Sequence, residues 1–443
     1  MRKSRIGILI VIAFAACTFI KESGTKIQRD ITKAYAATVF EIYFTGPDSV
    51  RAQEFVQLAA ERLKGFIRVG QTPDTMMNDC FAIKRFNSIS EEFQPPNLDV
   101  LSYSSVGLSE AEMSELANAG SGIAIILLAD QDSIVQKQRA MTLLIGDWTR
   151  NHNVYIGDIN TRRFYSPDSW SNSRVNSFEG MNMLQEIVFH TYRDGEFCRL
   201  VSLGMDKFCL PDISIRGIPC SDQESYGNLA NAVVATWIEH SLIAEDSTFV
   251  VDLQRISDPG MKAGLTSNIK EGAEQRVELK LQSVSPEEGD NDNLQFRLVF
   301  ENPAYSNPQE EQNALLKSLF GVEDPLLRIT HNDELLGASR RAKEKLPALR
   351  KLFNDGLGRG YSLLLKAPFE TGSGGNEWMW VEVTRWNESI IEGILQNEPV
   401  EVSDLKSGAR VTVNQEDVFD YILYKPDGTS EGNETGEIID RMN

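Results

Sequence analysis

The feature that most constrains the fold is a strand–turn–helix pattern that occurs twice in the first third of the chain. Residues 39–44 have strand character, and after a Gly-Pro-Asp turn apolar side chains recur at helical spacing over residues 50–63. Residues 122–129 form a continuous apolar run typical of a buried strand, and a second helix is predicted over 134–148. The repetition indicates a divergent internal duplication, folded as a layered α/β sandwich.

The middle of the chain continues with mixed elements, so the predicted fold class is α+β. The clearest β-hairpin covers residues 187–204, with its turn at Asp194-Gly195, and an apolar helix is predicted over 229–243. Further strands are predicted at 249–253, 277–284 and 294–300, and helices at 310–320 and 334–345. Pro347 is predicted to open a separate helix over 348–354, because proline fits the first turn of a helix better than its interior.

The last ninety residues have a different pattern of short strands parted by glycine-rich or polar turns. These strands, at 362–366, 379–386, 390–395 and 411–413, predict a small curled β-sheet or barrel with flanking helices. The acidic residues 427–443 predict a loose tail. The expected organisation is a signal peptide (1–17), a polar tether (18–37), an α+β domain (38–245), a hairpin and helix region (246–330) and a C-terminal domain (331–443).

The amino terminus resembles a bacterial lipoprotein signal. Basic residues 1–5 precede an apolar run over 6–16, and Ala15-Ala16 directly precede Cys17, the residue expected to carry lipid. Two alternatives remain: an uncleaved apolar anchor, which is short for a membrane span, or cleavage after residue 36, which would give a secreted chain. Two or three acyl chains on Cys17 would hold the protein on a membrane, because stable anchoring needs more than one chain. We therefore expect an exported protein with a lipid anchor, on the periplasmic side or at the outer membrane.

Charge and cysteine content narrow the partners and the compartment. The formal net charge is −20, which repels nucleic acid, so no nucleic-acid partner is expected. Four cysteines would remain if Cys17 carries lipid, and an oxidising compartment permits two disulfides in three possible pairings. The alternative is that some are small buried apolar residues. These cysteines are Cys80, Cys198, Cys209 and Cys220.

Common catalytic and ligand-binding motifs are not found in the sequence. The four histidines are scattered singly, and no serine has the Gly-x-Ser-x-Gly spacing of a hydrolase. The glycine-rich residues 356–360 follow a predicted helix, which is typical of a helix end and not of a phosphate loop. Residues 290–293 imitate part of a calcium loop, but Gln295 stands where that loop requires glycine. No metal and no cofactor are therefore expected.

Three tryptophans near the C-terminus form a candidate binding face. Trp378, Trp380 and Trp386 fall at even spacings in one predicted strand, and Glu382 shares their parity, whereas Glu377 falls on the opposite face. Such a row either belongs to the core, which is the favoured interpretation, or binds a peptide or a sugar ring.

The same region carries a family resemblance. The segments Lys-Ala-Pro-Phe at 366–369, Glu-Trp-Met-Trp-Val-Glu-Val at 377–383 and Asn-Glu-Pro at 397–399 resemble a YegJ-like bacterial domain of unknown function, over about residues 330–443. Residues 192–195 and 203–212 are similar to the longer members, which include exported proteins. The resemblance implies no activity and no catalytic residue.

The sequence therefore predicts a membrane-tethered exported protein that binds an envelope protein or another envelope component without catalysis. The alternative is an envelope hydrolase that uses carboxylates on a glycan or cell-wall substrate, although no pair is selected by spacing. A partner of a secretion or toxin system is a third possibility.

Overall fold

The computed structural model describes residues 28–32, 35–46, 49–63, 68–70, 80–176, 183–267, 269–321, 333–372 and 375–442. The predicted signal peptide, including Cys17, and the first part of the predicted tether lie outside the described residues. Helices and sheets are mixed along the chain, which confirms the α+β class. The described part contains no helix that is both long and apolar enough to cross a membrane.

The first unit is a three-layer sandwich around a seven-stranded sheet. The sheet order is β3-β4-β6-β2-β7-β8-β5. The first described element, β1 (Gln28–Asp30), lies outside this sheet. The elements of the unit are β2 (Tyr35–Phe44), α1 (Ser49–Arg62), β3 (Arg68–Gly70), β4 (Cys80–Phe86), α2 (Leu98–Ser104), β5 (Ser105–Val106), α3 (Glu110–Ala117), β6 (Ser121–Asp130), α4 (Ile134–Thr149), β7 (Val154–Asp158), β8 (Arg163–Tyr165) and α5 (Pro167–Trp170).

The predicted repeat forms the centre of this sheet. β2 pairs antiparallel with both β6 and β7, and β6 also pairs antiparallel with β4, so that each half of the repeat contributes one central and one flanking strand. This is the β-α-β-β-α-β topology of ferredoxin-like domains. β6 is buried on both faces, because α1 and α4 cover one side of the sheet and α2 and α3 the other. Burial on both sides explains its unbroken apolar sequence.

The second unit consists of two three-stranded meanders joined into one six-stranded sheet. The sheet order is β13-β14-β15-β11-β10-β9, and the only parallel pair among these strands is β11 with β15. α6, α7 and α8 cover one face and share a core with it. The elements are β9 (Val188–Asp194), β10 (Phe197–Leu203), β11 (Asp212–Ile218), α6 (Gln223–Glu239), β12 (Leu242–Ala244), β13 (Thr248–Asp252), α7 (Pro259–Thr266), β14 (Arg276–Val284), β15 (Gln295–Val299) and α8 (Pro308–Phe320).

This sheet crosses the domain boundary that the sequence suggested. β9, β10 and β11 precede residue 245 while β13, β14 and β15 follow it, so the boundary at 245 and 246 falls between strands of one sheet. β1 pairs antiparallel with β12, and the predicted tether 18–37 therefore includes a strand that contacts the second unit. The predicted hairpin is present as β9 and β10.

The third unit is an open antiparallel sheet of six strands, not a closed barrel. Its order is β19-β18-β17-β16-β20-β21, and α9 packs on its core face. The elements are α9 (Asp333–Asn354), β16 (Ser362–Glu370), β17 (Asn376–Asn387), β18 (Ile390–Leu395), β19 (Arg410–Asn414), β20 (Asp420–Tyr424), β21 (Ser430–Gly432) and α10 (Glu434–Met442).

Two predictions for this unit are wrong. α9 continues through Pro347, whose ring lies on the exposed side, while Leu346 and Leu349 pack into the core and hold the helix together. The acidic end is not wholly a loose tail, because α10 buries Ile438 against α9. Its apolar side chains recur at helical spacing and are sufficient to dock this short helix.

Candidate functional site

The candidate site is built on β17, the longest strand of the third sheet. Met379, Val381 and Val383 face the core between the sheet and α9. Trp378, Trp380 and Glu382 alternate with them and face the other side, as expected for a strand. We call this other side the outer face.

Trp386 does not belong to the outer face, contrary to the sequence prediction. The pairing of β17 with β18 shifts by one residue between Val383 and Arg385, so a β-bulge reverses the parity of the following residues. Trp386 is consequently 1% exposed within the core, where its indole Nε1 donates a hydrogen bond to Oε1 of Gln415 at 3.2 Å. The favoured core interpretation holds for this tryptophan.

The two remaining tryptophans are half-buried at one end of the outer face. The ring of Trp378 lies 4.6 Å from that of Phe419, and the ammonium of Lys366 lies 5.3 Å from the ring centroid of Trp380. Burial lowers the pKa of Lys366, while Asp420 acts in the opposite direction. This end therefore presents aromatic surface beside a partly desolvated cation.

Glu382 lies at the other end of the outer face, covered by the second unit. Glu382 is only 1% exposed to solvent. Oε2 lies 3.4 Å from Oγ of Ser221, and Oε1 lies 3.6 Å from the guanidinium of Arg193. Oε1 accepts no hydrogen bond from any residue that the structure describes. Burial raises the pKa of Glu382 to about 7, although the charge of Arg193 acts to lower it.

The turn that carries Ser221 is held from three directions. A disulfide joins Cys220 to Cys198 in β10, and the backbone oxygen of Cys220 accepts a hydrogen bond from Gln223 at 2.8 Å. Oγ of Ser221 lies 3.0 Å from Oε1 of Gln396, beyond the end of β18. A protonated Glu382 can donate to Ser221 while Ser221 donates to Gln396, which gives a connected chain of hydrogen bonds.

A second contact fixes the third unit on the second. The side chains of Asn307 and Asn313 donate to the backbone oxygen and to Oγ of Ser407, at 3.1 and 2.6 Å. Gly408 adopts a φ of 81°, and a Cβ there would lie 2.5 Å from Cβ of Gln309. Only glycine therefore permits this close approach of the loop to α8.

The other predicted cysteines lie away from this site. Cys80 opens β4 and is half-buried, and Cys209 is buried against the core of the first unit. The four cysteines are therefore not brought together in one place.

A buried charge cluster between the first two units was not predicted. Lys207 Nζ lies 2.8 Å from Oδ2 of Asp158 and 2.9 Å from Oε2 of Glu186, and a nitrogen of Arg174 lies 2.7 Å from the same Asp158 oxygen. Burial acts to raise the pKa of Glu186, but Arg174 and Lys207 outweigh it and lower that pKa to about 2. Charged residues scattered over fifty positions give no local sequence signal for such a cluster.

The acidic loop that resembles part of a calcium site is committed to protein contacts. Asp290 accepts two hydrogen bonds from Arg199, at 2.9 and 2.7 Å, and Asn293 donates to Asp212 at 2.8 Å. Among the described residues there is no group of three or more His, Cys, Asp and Glu side chains arranged to hold a metal ion.

Comparison with known proteins adds one match, in the third unit. No curated protein and no solved structure matches the chain. The match begins beyond α9 and includes β16 to β21 with all of α10, so Trp378, Trp380 and Glu382 lie within it. Residues 357–442 match the model of a family described as "Uncharacterized protein conserved in bacteria (DUF2314)", which confirms a bacterial domain of unknown function at the C-terminal end.

Proposed function

We propose that this chain is an exported protein, tethered to a membrane by lipid on Cys17, which binds an envelope component through the half-buried tryptophans of its third unit. The observation that carries the proposal is the disulfide between Cys198 and Cys220. Disulfides persist in oxidising compartments, and export is what the amino-terminal sequence predicts.

The position of the disulfide supports this compartment. Cys198 and Cys220 are 4% and 3% exposed, so the bond is protected from small reductants in the folded protein. It holds the turn on which Ser221 meets the third unit. An oxidising environment would therefore also favour the docked arrangement of the second and third units.

The exposed end of the outer face supports binding. Trp378 and Trp380 stand on a central strand of a six-stranded sheet, so little side-chain freedom is lost when a ligand covers them. Tryptophans are frequent energetic centres of binding surfaces. Lys366 adds a donor beside Trp380 that suits a hydroxyl or an anionic group of the ligand.

The raised pKa of Glu382 favours the alternative function, a carboxylate-dependent hydrolase. A pKa of about 7 is what a general acid needs near neutral pH. However, Glu382 is 1% exposed and its oxygens face Ser221 and Arg193 of the neighbouring unit. A glycan would have to separate the two units to reach it, so binding is the better-supported function.

Two experiments test the proposal. In cells, alkylation of free thiols before and after reduction should show Cys198 and Cys220 oxidised; reduced thiols in the native protein would contradict export. In vitro, the chain from residue 18 onward should co-sediment with isolated envelope fragments, and protease treatment of the fragments would show whether the ligand is protein.

The binding experiment has a matched control. Replacing Trp378 and Trp380 together with alanine should reduce co-sedimentation at least tenfold. Leu352→Ala removes an apolar side chain that is 42% exposed on α9 and should leave it unchanged. Equal binding by both variants would remove the outer face from the proposal.

A further inference from the structure

The charges of arginines from the first and third units act on a histidine of the second unit. Arg162 lies in the turn before β8 and Arg163 is the first residue of β8. His190 lies in the edge strand β9, and Arg359 lies in the turn between α9 and β16. We call these four residues the basic junction. Such a concentration of cations stands out in a chain of net charge −20.

Tyr103 links two of these arginines. The guanidinium carbon of Arg359 lies 4.6 Å from the centroid of the Tyr103 ring, and NH1 of Arg163 donates a hydrogen bond to the Tyr103 backbone oxygen at 3.3 Å. Arg162 is fixed from the other side, since its guanidinium donates to the backbone oxygen of Gly289 at 2.6 Å and to Oδ1 of Asn291 at 3.1 Å. All these acceptors are neutral.

Carboxylates balance the basic junction only in part. Neither Arg163 nor Arg359 forms an ion pair with any residue in the part of the chain that the structure describes. Asp290 and Asp212 attract Arg162 by their charge, but their oxygens also accept other hydrogen bonds. Asp290 accepts two from Arg199, and Asp212 accepts from Ser202 and Asn293. The cations therefore retain donors and charge for an external partner.

The state of His190 agrees with an excess of positive charge. Burial and the charges of Arg162, Arg163 and Arg359 together lower the pKa of His190 to about 4. Each group whose charge shifts this pKa is a cation. An anion placed among these side chains would relieve their repulsion and would favour the protonated imidazole, which then adds a further donor.

We propose that the basic junction is a binding site for the phosphate group of a ligand. Three guanidinium groups can each donate to a different oxygen of a tetrahedral phosphate, whereas a planar carboxylate offers only two oxygens. The site takes side chains from all three units, so a bound phosphate would also hold them together. The proposal is independent of the outer face and of export.

The test measures binding of inorganic phosphate to the purified full chain by isothermal titration calorimetry, at constant ionic strength set with chloride. Saturable binding is expected, and Arg163→Gln and Arg359→Gln should each weaken it at least tenfold, with Arg359→Lys losing less. The control is Arg340→Gln, which removes an exposed positive charge about 20 Å away along α9. Phosphate binding that is equal in all variants, or the absence of any response to both phosphate and phosphatidylglycerol vesicles, would overturn the proposal.

A second readout separates a bound phosphate from a change in folding. Histidine-selective NMR, with His190→Gln for assignment, should show the pKa of His190 rising from about 4 toward 6.5 when phosphate is added. In parallel, the pKa of His190 is measured with vesicles of phosphatidylglycerol and with vesicles of phosphatidylcholine. A response to phosphate in solution identifies a soluble phosphate ligand, and a response to phosphatidylglycerol alone identifies a lipid headgroup. An unchanged His190 in both arms would contradict the site.

Discussion

Replacing Glu382 with glutamine should make the protein less sensitive to alkaline pH. Glu382 is buried where the second and third units meet, and its pKa is raised from 4.5 to about 7. In the folded protein it therefore stays protonated at pH values where it ionises in the unfolded chain. Glutamine has nearly the same shape, retains the neutral state and cannot ionise.

The magnitude follows from the difference between the two pKa values. A difference of about 2.5, at about 1.36 kcal/mol for each pKa unit, corresponds to about 3 kcal/mol. Because the folded-state pKa of this acid is raised, the folded state binds more protons than the unfolded state between pH 4.5 and 7. Its contribution is full below about pH 4.5 and is lost as the pH rises to about 7. Between pH 5 and 8 the loss is about 2 to 3 kcal/mol.

The assay is urea unfolding followed by tryptophan fluorescence at several pH values. The free energy of unfolding of the native protein should fall by about 2 to 3 kcal/mol more than that of Glu382→Gln between pH 5 and 8. Glu344→Gln, which removes an exposed carboxylate on α9, serves as the control and should behave as the native protein. Parallel pH profiles for the native protein and Glu382→Gln would refute the reasoning.

Three further changes should alter stability by amounts that urea unfolding can measure. Lys207→Met leaves the buried carboxylates of Asp158 and Glu186 with one cation fewer and should lower the free energy of unfolding by about 3 to 5 kcal/mol. A decrease below about 1 kcal/mol would show that the charge cluster is hydrated. Trp386→Ala should lower the free energy of unfolding by about 3 to 5 kcal/mol, because it leaves a cavity in the core. Trp380→Ala should lower it clearly less, and equal decreases would contradict the β-bulge. Replacing Cys198 and Cys220 with serine should lower the free energy of unfolding by about 3 kcal/mol, because the disulfide closes a loop of 22 residues in the unfolded chain. An unchanged urea midpoint would show that the cysteines are not joined.

The sequence was most informative where burial and periodicity agree. The run at residues 122–129 is apolar throughout because β6 is covered on both faces, and the turn at Gly195 closes a hairpin whose strands pair over seven residues each. Local pattern could not reveal that β9 to β11 share a sheet with β13 to β15. The only strand pairing between the two groups is that of β11 with β15, whose residues lie about eighty positions apart.

The errors at the candidate site have physical causes. A strand period of two assigns Trp386 to the face of Trp380, and one β-bulge residue between them reverses the assignment. Glu382 lies two residues from Trp380 in β17, but its burial depends on Ser221, which lies 161 positions earlier in the chain. Contacts of this kind depend on the docking of whole units and leave no local pattern.

The most direct test of the proposed function is the fate of Cys17. Cells expressing the native chain or Cys17→Ser are labelled with radioactive palmitate, and membrane and soluble fractions are separated. The account predicts a labelled native protein in the membrane fraction and an unlabelled Cys17→Ser variant. An unlabelled native protein in the cytosol would contradict the account, because neither the tether nor an oxidising compartment for the disulfide would then exist.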